Sequence, residues 1–310
     1  MDVPFRQPPQ LARSNGIDLC YEIFGAPDAE PMILIMGLAA QMILWDDEFC
    51  QQLALRGFWV IRFDNRDVGR SSKLTGGGPL TPVELLKLRF LRIPLAAPYK
   101  LLDMADDVIG LMDALGIQSA HLIGASMGGM IAQEIAINYP RRVRTLISIM
   151  STTGNSRLPQ PSREVTTMLM ARPVTTRQEF IVRFAKTWKV LRGGGHFPLD
   201  EAKDRERAER TFDRGLSPAG VGRQLRAILA SGSRKERLRF ITAPTLVIHG
   251  TVDPLVHPAA GKDTAASIRG AKLMMIEGMG HALPIPMWPQ IIDAITNHAH
   301  VATGATSALR

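Results

Sequence analysis

His121–Pro140 reads HLIGASMGGMIAQEIAINYP, and the rest of the chain is read outward from it. Leu122 and Ile123 form the end of an apolar run with the character of a buried strand. Gly124-Ala125-Ser126-Met127-Gly128 then fits Gly-x-Ser-x-Gly, with a further glycine at Gly129. An apolar-periodic run through Met130, Ile131 and Ile135 follows and stops before Pro140, as a helix would. Strand, sharp turn carrying a serine, helix is the setting that presents a serine as a nucleophile. The turn is too tight for side chains at the glycines that flank it, and the helix N-terminus favours negative charge developing there. The short pattern alone is common by chance; its weight comes from this setting.

Upstream, Asp18–Phe24 alternates apolar and polar residues and is followed by Gly25 and Pro27, so it reads as an edge strand and turn. Met32–Met36 (MILIM) and Phe58–Phe63 (FWVIRF) are continuous apolar runs of the kind buried on both faces. Trp45–Leu55 lies between them with helical spacing, acids in its first turn and Arg56-Gly57 as a stop. Gly76-Gly77-Gly78-Pro79 marks a loop, and Val83–Ile93 is a short basic amphipathic run, expected to pack beside a pocket. Met104–Leu115 reads as a helix and Thr145–Met150 as a strand. From Asn155 the alternation lapses for some 85 residues, with helical patterns at Thr176–Leu191 and Asp200–Phe212. It resumes at Thr245–Ile248 and Lys272–Ile276, followed by a helix over about Pro289–Ala299 and a frayed tail, VATGATSALR. The pattern predicts an α/β fold: a mostly parallel sheet covered on both faces, with reacting groups on loops at the carboxyl ends of its strands.

Bulk properties narrow the function. The 310 residues suffice for one large α/β domain with an insertion. No apolar run approaches the roughly 20 residues that a membrane span needs, so no integral membrane segment is expected. The first ten residues, MDVPFRQPPQ, lack the pattern of a secretory signal. Cys20 and Cys50 have no metal-ligand spacing and read as buried thiols, which suits a cytoplasmic location. Net charge is +8, yet Asn155–Phe240 holds 19 Lys+Arg against 9 Asp+Glu, so the remainder is slightly acidic. No nucleic-acid motif accompanies that excess, and a solvated basic insertion is expected, with DEAKDRERAER as a salt-bridged helix face.

A serine needs an imidazole to take its proton, and the imidazole needs a carboxylate to fix its tautomer. Of the seven histidines, His281 stands in a glycine-rich loop, Glu277-Gly278-Met279-Gly280-His281, directly after the last strand. His249 also follows a strand but reads as a buried structural residue. Asp253 follows the TLVIHG strand, and the chain order Ser126, Asp253, His281 completes a candidate catalytic triad. Glu277 is a rival acid on His281's own loop, whereas Asp106 and Asp107 read as solvated helix residues. An oxyanion needs two N–H donors: the backbone of Met127 just after the serine, and that of Leu38 in the loop after MILIM. Asp64, Asn65, Arg66 and Asp67 read as a polar network anchoring the loop beside that strand. Met36, Leu38, Met42, Trp45 and Met127 suggest an apolar acyl or alcohol pocket.

With MGL at 36–38, FDNRDVGRSS at 63–72, GASMGG at 124–129, HGTVDP at 249–254 and GMGH at 278–281, the chain resembles α/β-hydrolase-fold esterases over nearly its whole length. Within them it is most similar to the aclacinomycin methylesterase-like carboxylesterases. The resemblance implies a core over residues 1–154 and 240–310 with a helical cap at 155–239, and it carries the second oxyanion donor onto Leu38. A small-molecule carboxylic ester is the expected substrate, with no cofactor, no metal and no nucleic acid, in a monomer or homodimer. Perhydrolase, lactonase and carbon–carbon bond hydrolase chemistry use the same triad and stay open, as does a ligand-binding receptor on a hydrolase scaffold. Dehalogenases and epoxide hydrolases carry an aspartate where Ser126 stands.

Overall fold

Successive side chains of a strand point to opposite faces, so a run that is apolar throughout needs cover on both. The strand β3 (Glu30–Ile35) shows the result: Ile33 and Ile35 pack into one hydrophobic cluster, Met32 and Leu34 into another. A computed structural model of the chain describes residues 6–77, 81, 84, 95–169, 171–172 and 174–304. The other strands are β1 (Arg6–Ser14), β2 (Ile17–Phe24), β4 (Phe58–Phe63), β5 (Ala120–Ala125), β6 (Val143–Ile149), β7 (Thr245–Gly250) and β8 (Lys272–Ile276). They form one eight-stranded sheet in the order β1-β2-β4-β3-β5-β6-β7-β8. The pairs β1–β2 and β2–β4 are antiparallel, and the rest are parallel.

Helices α1 (Asp47–Ala54), α2 (Leu101–Ala114) and α3 (Met127–Asn138) precede β6. Helices α4 (Arg163–Leu169), α5 (Arg177–Leu191), α6 (Glu201–Asp213), α7 (Pro218–Ser231) and α8 (Lys235–Leu238) lie between β6 and β7. Finally α9 (Ala259–Ser267) and α10 (Trp288–Thr303) flank β8. Residues of α2 and α3 fill the cluster on one face of the sheet, and those of α1 and α10 fill the other. No helix among the described residues is long and apolar enough to cross a membrane.

Several readings change. The sheet edges are β1 and β8, and β2 is interior. The N-terminal segment hides this strand because Pro8 and Pro9 cannot donate to a ladder, and the register shifts between Gln7 and Gln10 where they stand. The basic stretch between β6 and β7 is also not simply solvated. Arg207 grips buried Asp46 with two bonds of 2.6 and 3.0 Å, Arg223 grips Asp67 at 2.7 and 2.9 Å, and Arg214 binds Asp64. Asp204 and Arg207, within DEAKDRERAER, are themselves buried. At the C-terminus, Val301–Thr303 continue α10, and residues 305–310 lie outside the described set. So does the amphipathic run Val83–Ile93 apart from Glu84, which pairs with Arg226 at 2.9 Å.

Cys20 and Cys50 are buried free thiols, and burial pushes the Cys50 thiol up to about 12. His121 on β5 is wholly buried between Thr145 Oγ1 (2.9 Å), Glu30 Oε2 (3.2 Å) and the Phe58 ring. Burial, which outweighs the favourable Glu30 contact, holds its pKa down to about 4. Between that value and the ordinary histidine value near 6.5, the unfolded chain binds the extra proton and the folded chain does not. Stability therefore falls as pH drops through this window. The melting temperature should decline from pH 7 to pH 4.5, and His121→Gln should flatten the decline; an unchanged slope in that variant contradicts the assignment.

Candidate active site

Ser126 sits between β5 and α3 with φ 55° and ψ −119°, a conformation rare for a residue with a Cβ. Such strain costs on the order of 1–3 kcal/mol and persists only where the surroundings enforce it. Here Ser126 N–H donates to Ile149 C=O at 2.9 Å, and Ser151 Oγ donates to Ser126 C=O at 2.7 Å. Gly128 allows α3 to close on the sheet: a Cβ there would stand 2.0 Å from Ile35 O. The loop after β3 consequently lies against the serine, and a Cβ on Gly37 would be 3.1 Å from Ser126 Cβ and 3.6 Å from its Oγ. Gly37 thus lies against the serine that opens α3.

The loops after β7 and β8 carry the other two candidate residues. Asp253 is buried, and its Oδ1 accepts the backbone N–H groups of Leu255 (2.9 Å) and Val256 (2.8 Å). Its Oδ2 accepts from His281 Nδ1 at 2.7 Å. An ionised carboxylate only accepts, so this contact puts the imidazole proton on Nδ1 and leaves Nε2 as the proton acceptor.

His249, read as structural, lies fully buried beside the pair, its Nε2 3.5 Å from Asp253 Oδ2. That nitrogen donates to Val256 C=O at 2.8 Å, bracing the turn that binds Asp253. Burial lowers its pKa, so it stays neutral and adds no competing positive charge. Glu277 points to solvent and makes no rival for Asp253.

The Asp64–Asp67 segment does anchor the neighbouring loop. Asn65 Nδ2 donates to Met36 C=O at 2.9 Å, and Asp64 Oδ1 accepts Met42 N–H at 2.8 Å. Asp107, expected to be solvated, is instead buried and bound by Arg66 through two contacts of 2.6 Å. A helical pattern around Asp107 cannot reveal an arginine arriving from the loop after β4. Asp106, half-buried, accepts from the Tyr139 hydroxyl at 2.6 Å. Of the residues expected to form an apolar pocket, Met36, Met42, Trp45 and Met127 are buried in the core, whereas Leu38 is half-buried.

Sequence reasoning missed Gln224 on α7. This wholly buried side chain accepts Ala39 N–H at 2.9 Å and donates to Arg66 C=O at 2.8 Å. It also missed Leu191, whose C=O accepts His281 N–H at 2.6 Å. Neither position carries a local signal, because each acts on a loop far away in sequence.

Residues 30–286 match the family model described as alpha/beta hydrolase fold. The chain belongs to that family. Among the relatives of this alpha/beta hydrolase is the rhodomycin D methylesterase DauP of Streptomyces sp. (strain C5), 30% identical over 96% of this chain and 99% of the other. A hydrolase from Pseudomonas aeruginosa PA01 superposes with a TM-score of 0.67 at 24% identity, covering 96% of this chain and 98% of its own. The meta-cleavage product hydrolase of Pseudomonas fluorescens IP01 gives 0.72 at 20% identity, covering 94% and 98%. These two structures share the fold.

The close packing at Gly128 generates a prediction. In Gly128→Ala the added methyl meets backbone that cannot rotate away, so the melting temperature should fall by the equivalent of about 1–3 kcal/mol. Calorimetry that finds the variant as stable as the parent shows that α3 does not pack this closely on β3.

Proposed function

We propose that this alpha/beta hydrolase is a serine carboxylesterase whose reacting groups are Ser126, His281 and Asp253. The protein is a carboxylic ester hydrolase. The observation that carries the residue assignment is the 2.7 Å contact between His281 Nδ1 and Asp253 Oδ2, made by two strand-end loops of the sheet whose β5 leads into Ser126.

In this reading Ser126 Oγ attacks the ester carbonyl while His281 Nε2 takes its proton, and Asp253 stabilises the imidazolium. The carbonyl oxygen becomes an oxyanion held by the N–H groups of Leu38 and Met127. Collapse expels the alkoxide, which receives the proton from His281 and leaves as the alcohol. Water, deprotonated by His281, then attacks the acyl-enzyme, and a second collapse frees the acid and Ser126. The methylesterase relative supports a methyl or other small ester, and half-buried Leu38 supports an apolar wall beside the carbonyl. The helices at 155–239 act as a cap over the site in this reading. The buried free thiols support a reducing compartment and hence the cytoplasm.

Ser126→Ala should abolish hydrolysis of short p-nitrophenyl esters and labelling by a fluorophosphonate probe while the circular dichroism spectrum stays unchanged. Retained turnover in the folded variant would sink the assignment. Asp253→Asn, which forces the wrong imidazole tautomer, should lower kcat by roughly 10⁴-fold; a loss below tenfold would exclude Asp253 as the orienting acid.

A further inference from the structure

We propose that the helices between β6 and β7 position both halves of the reacting site, through Gln224 on the oxyanion side and Arg192 on the acid–base side. This rests on the assignment of Ser126, His281, Asp253 and Leu38 above.

On the oxyanion side, the chain turns sharply after β3, with Ala39 held at φ 62°. Gln224 Oε1 takes up Ala39 N–H, and its Nε2 fastens to Arg66 C=O. Ala39 N–H is therefore committed to Gln224. The N–H of Leu38, one residue earlier, is left as the oxyanion donor, and its peptide is fixed by the bond beside it. Buried on all sides, Gln224 has two partners in fixed directions and no water to substitute for them.

On the acid–base side, α5 ends against the loop that carries His281. Leu191 C=O accepts His281 N–H, and a Cβ at Gly280 would stand 2.3 Å from that same oxygen. Gly193, at φ 73°, presses on the Asp253 loop so closely that a Cβ would be 2.4 Å from Val252 O. One turn of chain thus touches both loops. Arg192, between these contacts, binds Asp204 with both terminal nitrogens; Asp204 also takes Arg207, which is bonded to Asp46 at the start of α1. This relay of charges, half-buried at Arg192 and buried beyond it, ties the end of α5 to the core of the sheet independently of His281.

Gln224 and Arg192 are positioning residues: neither touches the reacting atoms. Displacing either loop moves a donor or the imidazole relative to Ser126, and misplacement on the ångström scale weakens transition-state contacts more than ground-state ones.

The experiment pairs Gln224→Met, close to the original side chain in volume, with Arg192→Gln, which removes the charge, and adds Arg192→Lys. For p-nitrophenyl acetate, each of the first two should lower kcat roughly tenfold, with KM within about twofold of the parent's. Inhibition by phenylboronic acid, whose serine adduct mimics the tetrahedral intermediate, should weaken in step with kcat. Arg192→Lys keeps the charge and should recover part of the loss. Hydrogen–deuterium exchange should quicken at residues 37–41 in Gln224→Met and at 277–283 in Arg192→Gln. Unchanged kcat in the folded variants, or a change confined to KM, overturns the proposal. So does unchanged exchange in both loops. If the parent protein neither hydrolyses esters nor labels at Ser126, the functional assignment fails, and the exchange measurement still decides whether the helices hold the loops. If one variant does not fold, the other tests the proposal from the opposite side of the site.

Discussion

The arrangement of this protein turns on arginines of one segment buried against carboxylates of another. Asp46, Asp64 and Asp67 come from the loops after β3 and β4, and Arg207, Arg214 and Arg223 come from the helices between β6 and β7. All six are buried or nearly so. Their attraction offsets the cost of removing them from water, most fully in the two-point geometry seen for Arg207 and Arg223. Once formed, such pairs resist partial loss, because deleting one partner strands the other charge and costs about 3–5 kcal/mol. The net positive charge of the helical segment and the slight acidity of the rest are two sides of this one contact.

The same carboxylates serve the site. Asp64 binds Arg214 with one oxygen while the other holds the N–H of Met42, and Asp67 binds Arg223 while its side chain also receives the Tyr99 hydroxyl at 2.7 Å. The turn after β3 is therefore braced from beneath by Asn65 and from the helical side by Gln224. Ser126 can be held in a strained backbone conformation because the elements around it are fixed by packing that does not depend on the serine.

Much of this was legible in the sequence for a definite reason. Ser126, Asp253 and His281 each follow an apolar strand by a few residues, so a parallel sheet brings the loops that carry them to one edge without any knowledge of side-chain contacts. The N-terminal strand was hidden by Pro8 and Pro9, which read as loop residues until the sheet edge is known. Asp107 looked solvated because its partner, Arg66, is 41 positions away. The helical segment was opaque for the same reason on a larger scale: Gln224 and Ala39 are 185 residues apart, and nothing in either neighbourhood announces the other. Periodicity reports which face of an element is buried. It is silent on which distant polar group waits there.

The carbonyl of Leu191 bears on how such a chain can be recombined. Helices inserted between two strands look like an interchangeable module, open to transplantation from one enzyme to another to alter which molecules are admitted. Here the module's own main chain receives the N–H of His281, and its Gln224 completes the turn after β3. A chimera that replaced these helices wholesale would keep every residue of Ser126, Asp253 and His281 and still leave two hydrogen-bonding groups at their margins without partners. Grafts in this scaffold have to leave the end of α5 at Leu191 and the Gln224 turn of α7 with the host and exchange only the rest.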